Sequence, residues 1–271
     1  MQLSRSARIA LRVAAGLGFA VIYVPLVLVL VNSLNPDRSA SWPPPGLTLH
    51  WWSVAWENSG ARAALWTSVK AGLGATGTAL LLGTLIAFAV ARHRFFGRNA
   101  LSFVVVLPIA LPGIVTGIAL NSAFSTVLEP LGVGLGLFTV VVGHATFCIV
   151  IVFNNVVARL RRTSGSYEEA AMDLGANTFR AFVDITFPLV RSALLAGALL
   201  AFALSFDEIV VTTFTAGPGV RTLPLWIFDN MTRPQQAPVV NVVAAVLVLL
   251  SVIPIYVAQR LSADSVTGGR V

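Results

Sequence analysis

The sequence predicts an all-α protein, a polytopic membrane bundle of about six transmembrane helices, and three observations point there. First, 56% of the 271 residues are hydrophobic and only 11% are charged, with a mean hydropathy of +0.85. A soluble domain carries about 25% charged residues, so this chain cannot clothe a water-facing surface. Second, the apolar residues gather into long runs without period-two alternation, which selects helices over a barrel as the way to satisfy the backbone in lipid. Third, the arginines lie mainly between those runs, not inside them.

The runs are Ile9–Val31, Ala64–Ala91, Ala100–Phe124, Leu137–Val157, Ser192–Thr213 and Val239–Gln259. Each approaches the roughly 20 residues that cross a bilayer at about 1.5 Å per residue. Arg5, Arg8 and Arg12 ahead of the apolar stretch Val13–Val31 resemble a secretion signal. Its apolar stretch outlasts the usual 7–15 residues or so and no small-x-small site follows directly, so it reads as a retained helix. With six spans, thirteen of the eighteen Lys+Arg fall on one side, including Arg92, Arg94 and Arg98, and Arg159, Arg161, Arg162, Arg180 and Arg191. That asymmetry predicts both termini in the cytoplasm. The expected organisation is a first helix with an outer loop (1–63), a core (64–260) containing a long inner loop (159–190), and a short cytoplasmic tail (261–271).

Several function classes are excluded. The net charge of +7 is a topology signal here, not a nucleic-acid footprint. One cysteine, Cys148, permits no internal disulfide, and the three histidines fall in separate segments, so no metal site is expected. A phosphate-binding loop needs Gly-x-x-x-x-Gly-Lys-Ser/Thr. The one lysine, Lys70, stands in Ser68-Val69-Lys70-Ala71, so the chain is expected to hold no nucleotide cofactor and to catalyse no hydrolysis.

Within the elements, Trp42-Pro43-Pro44-Pro45-Gly46 and Trp51-Trp52 suit an extended outer loop anchored at the headgroups. Pro108 and Pro112 predict kinks in a third helix lodged inside the bundle, where freed carbonyls find partners. Gly113 and Gly117 are spaced for close helix packing. His144 is expected to be satisfied by a neighbouring carbonyl, Asn154 and Asn155 to serve backbone groups between helices, and Trp226 and Phe228 to anchor an outer loop.

The inner loop is the most informative segment. Ser166 followed by Glu169 fits a capping box, with Glu168 and Glu169 in the first turn of a short helix over Tyr167–Leu174. Gly175 suits a left-handed stop, Asn177 an N-cap for a second helix over Thr178–Phe187, and Pro188 the entry to the fifth span. Glu169-Ala170-Ala171, three residues, Gly175, nine residues, then Ile185-x-Phe187-Pro188 resembles the EAA loop of inner-membrane permeases of ABC importers, with Phe187 replacing a leucine. The resemblance implies a type I importer permease fold and an ATPase-coupling role for Glu168, Glu169, Ala170, Ala171, Gly175, Ile185 and Pro188. It also implies partners: two ATPase subunits carrying ATP-Mg, a second permease that is expected to differ from this chain, and a periplasmic substrate-binding protein.

Further segments, among them Gly46–Trp52, Pro112–Leu120, Gly143–Phe147 and Ser205–Gly217, resemble the second permease subunit of the spermidine/putrescine subfamily. Gly113 departs from it, since an acidic residue is frequent there. Asp207 and Glu208 lie in the outer part of the fifth span, where carboxylates face a cavity or a partner. Counted along a continuous helix, Ala201, Ser205, Glu208, Thr212 and Thr215 form a small polar stripe. That predicts Glu208 on the translocation path with Ser205 and Thr212, and Asp207 held by a neighbouring helix. Alternative readings are a permease for ferric iron, thiamine or an opine, or an ion-coupled secondary transporter.

Overall fold

A computed structural model describes residues 4–38 and 41–250; among these there is no β-strand. The elements are α1 (Arg5–Asn32), α2 (His50–Glu57), α3 (Ser59–Arg92), α4 (Arg98–Ala110), α5 (Gly113–Val127), α6 (Leu137–Arg161), α7 (Ser166–Asp173), α8 (Thr178–Ala181), α9 (Phe187–Phe206), α10 (Val210–Thr215) and α11 (Leu223–Asn230). A last described helix, α12, covers Ala237–Leu250. The chain divides into two compact units, one spanning Ala63–Trp226 and the other made of the flanking segments.

In the Ala63–Trp226 unit, α6 is the central helix. It buries residues around its whole circumference, among them Val140, His144, Cys148, Val152, Val156 and Leu160. A helix apolar on every side belongs in the interior of a bundle. Arg159 and Arg161 close its last turn, where cations complement the helix dipole. Along α3 a small residue recurs every fourth position: Ala71, Ala75, Ala79 and Ala87 are fully buried, with Gly83 between them. Ala75, Ala79 and Ala87 share one core with Val152, Phe153 and Val156 of α6. Lipid tails are as apolar as the helices, so close backbone approach through small residues is what drives such packing. On another side of α6, α9 contributes Val190 and Ala201 to the same core, and the Cys148 thiol points at the Ala201 carbonyl at 3.3 Å.

Three sequence expectations change. The third span is not one kinked helix. It parts into α4 and α5 at Leu111 and Pro112, both of which have extended ψ. Proline disfavours helical backbone in the residue before it, and Pro112 becomes the N-cap of α5, while Pro108 stays inside α4. Nor is this pair lodged in the interior of the chain: α4 buries no residue and α5 only Gly117 and Phe124. The fifth span also breaks, at Asp207–Ile209, and its helical path begins earlier, at Thr178. Of the sixth predicted span, residues 251–259 lie outside the described residues, as do the 261–271 tail and Arg260. Among the described residues, five helical stretches are long and apolar enough to cross a membrane, with α4 and α12 shorter.

In the flanking unit, α1 buries none of its residues. The loop after it is organised by Asn35, whose side chain donates to the Ser41 carbonyl at 2.9 Å and accepts from the Asp37 N–H at 2.9 Å. The Arg38 guanidinium lies 5.6 Å from the ring centre of Trp51, which is buried, whereas Trp42 is exposed.

Candidate functional site

Two sites stand out in the Ala63–Trp226 unit, one at the arginine-rich helix ends and one at the break in the fifth span. At the first, α7 begins one residue earlier than a Ser166 cap would allow. Gly165 is the N-cap, its carbonyl accepts from the N–H groups of Glu168 and Glu169, and no side chain caps the helix. Ser166 instead shares a 2.7 Å hydrogen bond with Ser164, so the expected capping box is absent. The stop is as the sequence predicts: Gly175 has φ +91° and the Ala176 N–H reaches back to the Ala171 carbonyl. Asn177 caps α8 through its side-chain oxygen and the Arg180 N–H at 2.9 Å. The predicted second helix then changes pitch. Phe182–Thr186 form a π-helical turn that runs directly into α9, with Pro188 in its first turn.

The two adjacent glutamates are treated differently. Glu168 is half-buried, and its Oε1 accepts from Arg92 Nη2 at 3.0 Å, Arg92 Nε at 3.2 Å and the Thr186 hydroxyl at 2.8 Å. Glu169 is exposed and has no side-chain partner among the described residues. Ala170, Gly175 and Pro188 are exposed with it, while Ala171 and Ile185 are half-buried. Tyr167, Leu174 and Phe179 add large exposed apolar side chains to this end. The segment is thus a short helix with a secured root and an open outer face.

The second site is built to hold broken backbone. Within a bilayer, groups freed by a helix break must find internal partners. At the start of α10, Glu208 Oε1 accepts from the Val211 N–H at 2.8 Å. At its end, the Phe214 carbonyl accepts from Asn121 Nδ2 of α5 at 2.7 Å, and the Thr215 carbonyl from the Thr139 hydroxyl of α6 at 2.7 Å. His144, fully buried, joins the two halves: Nδ1 meets the Ser205 hydroxyl at 2.7 Å and Nε2 the Thr212 hydroxyl at 2.8 Å. The Thr212 hydroxyl donates its proton to the Glu208 carbonyl at 2.9 Å. Nε2–H therefore donates to Thr212, and in the neutral ring Nδ1 accepts from the Ser205 hydroxyl.

This geometry redistributes the predicted path residues. Ser205 and Thr212 are buried against His144 and do not line an open face, and Ala201 and Thr215 are buried too. Glu208 is half-buried and spent on a backbone N–H, while Asp207 is exposed with no side-chain partner among the described residues. The face count fails because it assumes 3.6 residues per turn across Asp207, where the helix ends. His144 is held by two hydroxyls in place of a carbonyl. Gly117 packs on Phe214, where a Cβ would come within 2.5 Å of the ring, and a Cβ at Gly113 would meet Val210 at 3.4 Å. Asn155 donates to the Ile151 carbonyl at 2.9 Å, Asn154 is exposed, Trp226 is buried and Phe228 exposed. Sequence reasoning missed Arg92, Thr186, Asn121 and Thr139 as site residues. Arg92 was visible only as one charge among many, and the others are single polar side chains in apolar runs.

Comparison with known proteins gives a consistent picture. Residues 79–267 match the family profile described as binding-protein-dependent transport system inner membrane component. The putrescine transport system permease protein PotI of Escherichia coli K12 is 33% identical over 235 residues, covering 85% of this chain and 83% of that one. The spermidine/putrescine transport system permease protein PotC of the same organism is 34% identical over 251 residues, covering 92% of each. A putative 2-aminoethylphosphonate transport system permease protein of Salmonella typhimurium is 31% identical over 258 residues, covering 92% of this chain and 96% of that one. In fold, the chain matches a crystal structure of a bacterial ABC transporter involved in import of the acidic polysaccharide alginate. The TM-score is 0.72 at 17% identity, covering 97% of this chain and 99% of that one. The chain therefore belongs to the family of binding-protein-dependent transport system inner membrane components, the multi-pass permeases of ABC importers.

Proposed function

We propose that this permease imports a cationic amine of the putrescine/spermidine class from periplasm to cytoplasm, driven by ATP hydrolysed on a separate pair of ATPase subunits. The single observation that carries the coupling part is the split between adjacent glutamates: Glu168 roots α7 in the bundle, and Glu169 is left open on the outer face with Ala170 and Gly175. A helix fixed at one side and free at the other is suited to pass a partner's rigid-body motion into the spans. ATP and Mg belong to that partner, since this chain lacks a phosphate-binding loop. The arginine excess at the α7 end argues for a cytoplasmic location of that end and of both termini.

The amine assignment rests on the names of the relatives, two of which carry putrescine or spermidine and one an aminophosphonate, all with a primary amine. Asp207 is the carboxylate of this chain best suited to meet a cation: it is exposed beside a break in a span, whereas Glu208 is engaged. Unpaired intramembrane carboxylates are costly and mark pathways. The exposed apolar face of α4 and α5, including Phe103, Val104, Ile114 and Ile118, suits a second, non-identical permease, with a periplasmic binding protein delivering the solute. Reconstitution of the complex in proteoliposomes tests the reading. ATP-dependent uptake of labelled putrescine with loaded binding protein is expected; uptake driven by an ion gradient without ATP contradicts it and favours a secondary transporter.

A further inference from the structure

Arg92 is the last residue of α3, and every nitrogen of its guanidinium is engaged. Nε and Nη2 go to Glu168 Oε1, and Nη1 goes to the Thr163 carbonyl at 3.1 Å and the Leu160 carbonyl at 3.5 Å. The same carboxylate oxygen accepts from Thr186 in the π-helical turn. Four elements therefore meet at one ion pair: the ends of α3 and α6, the root of α7, and the turn that opens into α9. The side chains are only 16% and 24% exposed, so solvent screens the pair weakly. Arg92 also adds a donor at the end of α6: it reaches the Thr163 carbonyl just past the last turn, and it joins the Thr163 N–H and hydroxyl on the Leu160 carbonyl.

We infer that Arg92 is a positioning residue for energy coupling, the strut through which movement of α7 reaches α3 and α6. This rests on the reading of α7 as the element that meets the ATPase. The fork shape matters as much as the charge. A guanidinium can address a carboxylate and two carbonyls in fixed directions, and an ammonium cannot reproduce that set. The alternative role for Arg92, a topology-setting positive charge, is fully met by lysine. The two roles therefore separate in R92K.

The experiment measures solute imported per ATP hydrolysed, with the complete complex and loaded binding protein in proteoliposomes, for the unmodified complex, R92K, E168Q and R92K/E168Q. A strut predicts a ratio lowered about fivefold or more in R92K, a drop in E168Q, and a double variant no worse than the worse single, as for two residues of one unit. If R92K does not assemble, the isosteric E168Q decides alone. An unmoved ratio in R92K or E168Q, or independent multiplication of their effects in the double variant, overturns the inference. Those results leave the coupling reading standing, because ATP-dependent uptake by the unmodified complex is its separate test; absence of that uptake removes the coupling reading itself.

Discussion

The two polar sites of this bundle solve opposite problems. At the arginine-rich end, the network is charged, half-buried and asymmetric, with one glutamate tied to Arg92 and its neighbour left open. At the break in the fifth span, the network is closed on itself, with His144, Ser205 and Thr212 bonded to one another and Glu208 to backbone. The contrast follows from the surroundings. Beside water an ion pair keeps some solvation and can be rearranged by a partner; away from water an unpaired polar group costs free energy, and the side chains gathered at the break are bonded to one another or to backbone. Polar residues built to move and polar residues built to hold are thereby told apart by what they leave unsatisfied.

Substitutions can break or sharpen this contrast. The largest effect is expected for E169K, which reverses the open charge: ATP-driven uptake should fall about tenfold or more, with thermal stability of the purified permease nearly unchanged because the site is exposed. H144A should do the reverse. It strands the buried Ser205 hydroxyl, takes a donor from Thr212 and costs about 1–3 kcal/mol, read as a lowered Tm in detergent, with uptake per folded complex less affected. D207N should raise the apparent KM for putrescine by roughly threefold, about 0.7 kcal/mol, without moving Tm, as for loss of one partly screened charge. G117A acts on stability alone: its added methyl meets the near end of Phe214, which ring rotation does not clear, so a loss of about 1–3 kcal/mol is expected, read as a lowered Tm. If H144A abolished uptake at full stability, or D207N destabilised the fold, the division between holding and working residues would fail.

How much of this was legible follows the same physics. The spans, the Gly175 turn and the Asn177 cap are local: each is decided by residues within a few positions, and the sequence displays them. The two breaks are not local in the same way. Hydropathy reads Ser192–Thr213 as one run, yet the broken ends are held by His144, Asn121 and Thr139, 61 to 93 residues distant from their partners. Pro112 did announce a disturbance, but whether a proline kinks a helix or starts a new one depends on what packs around it. The capping box failed for a smaller reason: Gly165 can itself precede the first turn, and Ser166 then bonds Ser164. Nothing local in the sequence tells that Glu168 is tied down and Glu169 left open, because the partner that separates them, Arg92, lies 76 residues before Glu168.

The most direct test of the account is short-range cross-linking from E169C in the assembled complex under turnover. An adduct with the ATPase subunit, with a yield that changes when ATP is added, is the predicted result. Labelling of E169C from the periplasmic side, or a fully active complex in which that position never reaches the ATPase, would contradict it.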